Sequence, residues 1–147
     1  MLVTLPACQP GPPATRSLDP DADVVVPYAV SGGGEVRFTV HPRYAAGGPV
    51  TVTLDIRAGS VEIRGPLAGQ VLASELESGE QLVRNLTPDD INGTSVRPGQ
   101  RDHIQVTWDG RNDKGEFVPA QTYSLSLFFV IGDAPQRLGT VIEMKAR

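Results

Sequence analysis

Residues 50–57 read Val50-Thr51-Val52-Thr53-Leu54-Asp55-Ile56-Arg57, with apolar and polar side chains in strict alternation. Residues 35–41, Glu35-Val36-Arg37-Phe38-Thr39-Val40-His41, repeat the pattern. A period of two puts Val50, Val52, Leu54 and Ile56 on one face and Thr51, Thr53, Asp55 and Arg57 on the other. That is the mark of a strand half-buried against a core. β-branched residues fill most inward positions, as a pleated surface favours. A helix, with its repeat of 3.6 residues, would scatter these side chains around its axis. The chain is built on strands.

Outward from this pair, further strands are predicted over Val24–Val30, Ser60–Arg64, Gln70–Glu75, Gln81–Leu86, His103–Trp108, Gln121–Ile131 and Leu138–Lys145. Clusters rich in Gly, Pro, Asn and Asp separate them: SGGG at 31–34, AAGGP at 45–49, RGP at 64–66, NG at 92–93 and RPGQ at 97–100. Seven to nine short strands at this spacing predict an all-β antiparallel sandwich over residues 23–147. The helical signal is confined to Thr87-Pro88-Asp89-Asp90, an N-cap followed by Pro and two acids, and is worth a single turn.

The chain has 147 residues, which fits one domain. A net charge of −4 argues against a nucleic-acid partner, because phosphate binding needs a dense basic face. No apolar run approaches the ~20 residues of a membrane-spanning helix. A single cysteine, Cys8, excludes an internal disulfide and a cysteine-cluster metal site. Arg outnumbers Lys 11 to 2, a usage compatible with a thermophile.

Prolines concentrate at the beginning. Six of the 13 (Pro6, Pro10, Pro12, Pro13, Pro20 and Pro27) lie within the first 27 residues. Residues 1–22 are therefore read as an extended Pro-rich arm without a core of its own, stiffened by PGPP and tipped by Leu2, Val3 and Leu5. The arm residues expected to bind a partner are Leu2, Val3, Leu5, Pro6, Pro10, Pro12 and Pro13. A competing reading takes Leu5-Pro6-Ala7-Cys8 as similar to a bacterial lipobox, although no basic or long apolar stretch precedes it.

Residues 106–125, VTWDGRNDKGEFVPAQTYSL, resemble the last hairpin of the Ig-like domain of bacterial flagellar hook-capping proteins. Glu77-Ser-Gly-Glu-Gln-Leu-Val-Arg-Asn-Leu86 is similar to the preceding "sG..VR.L" hairpin of that family. Gln121 departs from it, standing where the family has Gly. The resemblance implies an Ig-like sandwich and a structural module that positions other proteins. A lesser resemblance, through W-D-G and T-Y, is to inhibitors of intracellular proteases. Six residues of the hairpin are expected to be structural. Trp108 would plug the core and Asp109 would accept backbone N–H groups. Gly110 and Gly115 would supply positive φ, Pro119 would start the return strand, and the Tyr123 hydroxyl would tie back to the loop.

Other motifs yield no chemistry. The run Asp109–Gly115 is superficially like a calcium loop, but Arg111 and Lys114 stand where Asp/Asn and Gly are required. His41 and His103 fall on outward strand faces without a nucleophile motif, and Ser31–Gly34 lacks the Lys and helix of a phosphate loop. No cofactor and no metal is expected. The last long strand puts Tyr123, Leu125, Leu127, Phe129 and Ile131 on one face. Its other face begins polar, at Ser124 and Ser126, and ends on Phe128 and Val130, a candidate contact face.

These readings converge on a non-catalytic structural subunit that binds and stabilises a larger protein assembly through its arm. The architecture resembles that of phage head-decoration proteins, which implies a virion-surface or extracellular location and a homo-oligomer such as a trimer. The alternative is a lipid-anchored or secreted bacterial surface binding module. No sequence feature supports a hydrolase.

Overall fold

The computed structural model describes residues 21–75 and 79–146. Its strands are β1 (Val24–Val30), β2 (Gly34–Val40), β3 (Tyr44–Ala45), β4 (Val50–Arg57), β5 (Ile63–Glu75), β6 (Gly79–Leu86), β7 (Thr94–Val96), β8 (Arg101–Trp108), β9 (Thr122–Ile131) and β10 (Ala134–Lys145). A one-turn helix, α1 (Pro88–Ile91), follows β6. One sheet has the order β1-β2-β4-β8; the other runs β3-β10-β9-β5-β6, with β7 beside β5. The pairings are antiparallel except the short parallel contact of β3 with β10. The molecule is an all-β sandwich, as the alternation requires.

Register explains how the alternating rows become a core. Phe38 lies opposite Leu54, which lies opposite Ile104; Val50 lies opposite Trp108. Residues directly opposite share a face, so each inward row continues across the sheet. Facing it, Tyr123, Leu125, Leu127, Phe129 and Ile131 of β9 are all buried, with Ile63, Val71, Leu138 and Ile142 beside them. Thr87 caps α1: its Oγ1 accepts from the Asp90 N–H at 3.3 Å, and its own N–H donates to the Asp90 carboxylate at 2.9 Å. Asn92, at φ 51°, ends the turn.

The structure starts β10 at Ala134 instead of Leu138, and β6 and β8 two residues earlier than predicted, and it joins two predicted strands. Only Ile63 and Arg64 of the segment 60–64 are in a strand; they belong with 70–75 to one 13-residue strand, β5, residues 60–62 lie outside it, and RGP at 64–66 is not a turn. The chain bends there through a cis Gly65–Pro66 peptide, and the register against β9 shifts between Arg64 and Ala68. Pairing with β9 resumes on the far side, so the interruption is a bulge within a strand. Two short strands, β3 and β7, join those that the alternation marks, because two or three residues carry no detectable period. Of the arm over 1–22, only residues 21 and 22 are described; Leu2, Val3, Leu5, Pro6, Pro10, Pro12 and Pro13 lie outside the described residues.

Candidate interaction sites

The β8–β9 connection is a knot of its own side chains. Trp108 is 1% exposed, and its ring meets that of Tyr123 edge-on, centroids 5.4 Å apart. The indole N–H donates to the Arg111 carbonyl at 2.8 Å, giving the buried ring's polar edge its partner. Asp109 accepts the Arg111 N–H at 3.0 Å. Gly110 and Gly115 have φ of 81° and 83°. At Gly110 a Cβ would also lie 2.7 Å from the Gly48 carbonyl oxygen, so the position excludes any side chain. The Tyr123 hydroxyl donates to the Pro119 carbonyl at 2.6 Å. Burial raises the pKa of this phenol, partly offset by a hydrogen bond with the Gln121 side chain. Gln121, the departure from the hook-cap pattern, thus takes part in the corner.

Arg84, on β6, fastens this knot to the neighbouring strand. Its guanidinium lies 3.4 Å from Asp109 and 3.9 Å from Asp113, and it donates to the Asn112 carbonyl at 3.2 Å. Asp113 in turn accepts the Asn85 backbone N–H at 3.1 Å. The carboxylates that give the loop its calcium-like look are occupied by a cationic side chain of the same chain. Nothing in the run 81–86 alone announces this role, since the carboxylates come 25 to 29 residues later; the Arg of the "VR.L" pattern is the one signal.

The histidines have separate partners. His103 Nδ1 lies 2.6 Å from Asp55 Oδ1, and His41 pairs with Asp23; both pairs are exposed. The His103 pair belongs to the charged outer face of the first sheet, where Arg37 also meets Glu35 at 2.9 Å. Beside it, Asp102 accepts from the Thr94 hydroxyl at 2.6 Å and from the His103 N–H at 2.8 Å, and these bonds hold its carboxyl below the usual range. Among the described residues no group of three or more His, Cys, Asp and Glu is placed to hold a metal ion, and no helix is long and apolar enough to cross a membrane.

Phe128 and Val130 are each half-buried on the outer face of the second sheet. Arg137, directly across on β10, lays its guanidinium 4.8 Å from the centre of the Phe128 ring. Cover for this ring therefore comes from the adjacent strand.

A different apolar surface is less well covered. Val24 and Val26 of β1 lie opposite Val40 and Phe38, so they face inward, yet Val24 is 48% exposed. They line an open seam of about 360 Å³ between the edge strand β1 and β10, with Tyr28, Pro42, Val141 and Glu143. The Tyr28 hydroxyl crosses the seam to donate to the Gly139 carbonyl. Val141, at the rim, is 60% exposed. This seam escapes sequence reading because it arises from strand order: the run Val24-Val25-Val26 has no alternation to show which side chains face inward, and nothing in it shows that β1 lies at an edge.

No family model matches the chain, and no curated protein matches it. Among solved structures, a β-glucosidase from Listeria innocua in complex with glucose aligns with a TM-score of 0.43 and 8% identity, over 78% of this chain and 17% of that one. Spo0M, a sporulation control protein from Bacillus subtilis, aligns with a TM-score of 0.44 and 11% identity, over 86% of this chain and 50% of that one. The chain thus spans half or less of each neighbour's length. Neither likeness bears on the role of this chain.

Proposed function

We propose that the protein is a non-catalytic structural subunit, a sandwich domain that joins a larger protein assembly through its Pro-rich arm. The reading rests chiefly on a coincidence of place. The described chain enters the domain immediately before Val24, whose inward-facing side chain is 48% exposed at an open seam. Exposed apolar surface of this kind marks a contact. The resemblance of residues 106–125 to the hook-capping hairpin supports the same class of role, because Trp108, Asp109, Arg84 and Tyr123 are all engaged in holding the loop. A virion accessory protein, decorating a shell as a homo-oligomer such as a trimer, is the specific form of the proposal.

Deleting residues 2–22 tests it. The truncated chain should fold and fail to enter its native complex, measured by co-purification from the source; normal incorporation would sink the proposal. The sequence Leu5-Pro6-Ala7-Cys8 supports a second reading, a lipid-anchored surface module. Intact mass of the native protein separates the two, since a diacylglyceryl group on Cys8 would leave no arm ahead of it.

A further inference from the structure

We infer that Arg57 and Arg101 form a binding site for one phosphate group, as inorganic phosphate or a small phosphomonoester, on the outer face of the first sheet. The site goes beyond the structural role proposed above and does not depend on the arm.

Arg57 of β4 and Arg101 of β8 lie directly opposite one another, and both are exposed on that face. Opposed side chains stand about 5 Å apart at Cβ, and like charges there destabilise a sheet. A neighbouring carboxylate would relieve such a pair, but the carboxylates beside it are already engaged. Glu35, opposite Arg57 on β2, meets Arg37 at 2.9 Å. Asp55 holds His103 Nδ1 at 2.6 Å. Asp102, opposite the buried Ile56, lies on the other side of β8, where it accepts from the Thr94 hydroxyl at 2.6 Å. Among the described residues neither Arg57 nor Arg101 has an ion-pair partner. Arg57 gives one N–H to the Gly33 carbonyl at 3.2 Å.

The two guanidinium groups line an open groove of about 580 Å³ with Glu35, Arg37, Asp55 and His103. The backbone just beyond them is fastened. The Ala58 N–H donates to the Gln100 carbonyl at 2.9 Å, and the Gly99 N–H lies 3.0 Å from the Gly59 carbonyl oxygen. Both arginines therefore project from fixed points, as a built site requires.

Charge and shape select the ligand. Two uncompensated guanidinium groups match two negative charges, and each offers a planar fork of N–H donors. A phosphate monoester brings a charge of about −1.5 to −2 and three acceptor oxygens. A carboxylate brings one charge and fills one fork. A polyanion is disfavoured, because Glu35 and Asp55 flank the pair and would repel its next phosphates.

Isothermal titration of the intact chain tests the site, with inorganic phosphate and O-phosphoserine as probes and Arg137→Gln, on the other sheet, as control. Phosphate should bind saturably to the intact chain and to the control. Arg57→Gln and Arg101→Gln should each weaken binding by about tenfold or more, and Arg101→Lys, which keeps the charge but loses the fork, should weaken it too. Melting curves without phosphate report folding separately; if Arg57→Gln unfolds through loss of its bond to Gly33, Arg101→Gln carries the test. Equal affinity for the two probes makes free phosphate sufficient, whereas tighter binding of O-phosphoserine assigns the site to an ester. Absence of saturable binding by both probes overturns the site, as does undiminished binding by either variant at Arg101. So does a short single-stranded DNA that binds more tightly than phosphate and is released in the same variants, since the face would then be a polyanion surface.

Discussion

Trp108 and Tyr123 occupy one another's van der Waals surface, and each also satisfies a loop carbonyl, so a change at either strikes packing and hydrogen bonding together. Trp108→Ala should cost about 3–5 kcal/mol, the range for deleting a fully buried aromatic. Urea denaturation measures it, and a shift near zero would place Trp108 outside the core. Tyr123→Phe keeps the ring and removes the hydroxyl, so it should cost only about 0.5–1.5 kcal/mol. The same residue predicts a pH dependence. Burial raises the phenol pKa in the folded state, so its stabilising contribution is complete below the ordinary tyrosine value of about 10 and is lost as pH rises through the folded value. Tyr44, also raised chiefly by burial, acts in the same direction. Stability should therefore fall in the alkaline range, and less steeply in Tyr123→Phe; parallel profiles for the two proteins would remove Tyr123 from the account.

At the level of elements, alternation was legible wherever a strand buries one face for six residues or more, as in β2, β4 and β9. It failed at β5 for a definite reason. Gly65 and Pro66 read locally as a turn, whereas β9 on the other side supplies a template that carries the strand through the bulge. Gly65 has φ 144°, and a Cβ there would lie 2.7 Å from Phe129 Cδ2. Gly65→Ala should thus cost about 1–3 kcal/mol in thermal unfolding, through backbone strain and the clash. An unchanged melting temperature would mean that the bulge relaxes freely. The hairpin residues were legible individually, since their types match what the turn demands. Arg84 and the β1–β10 seam were not, because both depend on which strands become neighbours.

For the molecule as a whole, the described core of buried apolar side chains runs from Val30 to Met144. The protein lacking residues 2–22 should unfold in a single cooperative transition, with a midpoint within a few degrees of the intact chain when both are monomeric. Two transitions, or a large drop, would make the arm part of the fold. The placing of Arg84 between Asp109 and Asp113 bears on what the loop needs from its surroundings. A carboxylate loop held by a bound ion exists at the mercy of supply: it slackens in a chelator and must be refilled after each unfolding. Here the counter-charge is covalently part of the chain, is made with it and refolds with it. The loop carries its own counter-charge, and its closure asks nothing of the ions around it.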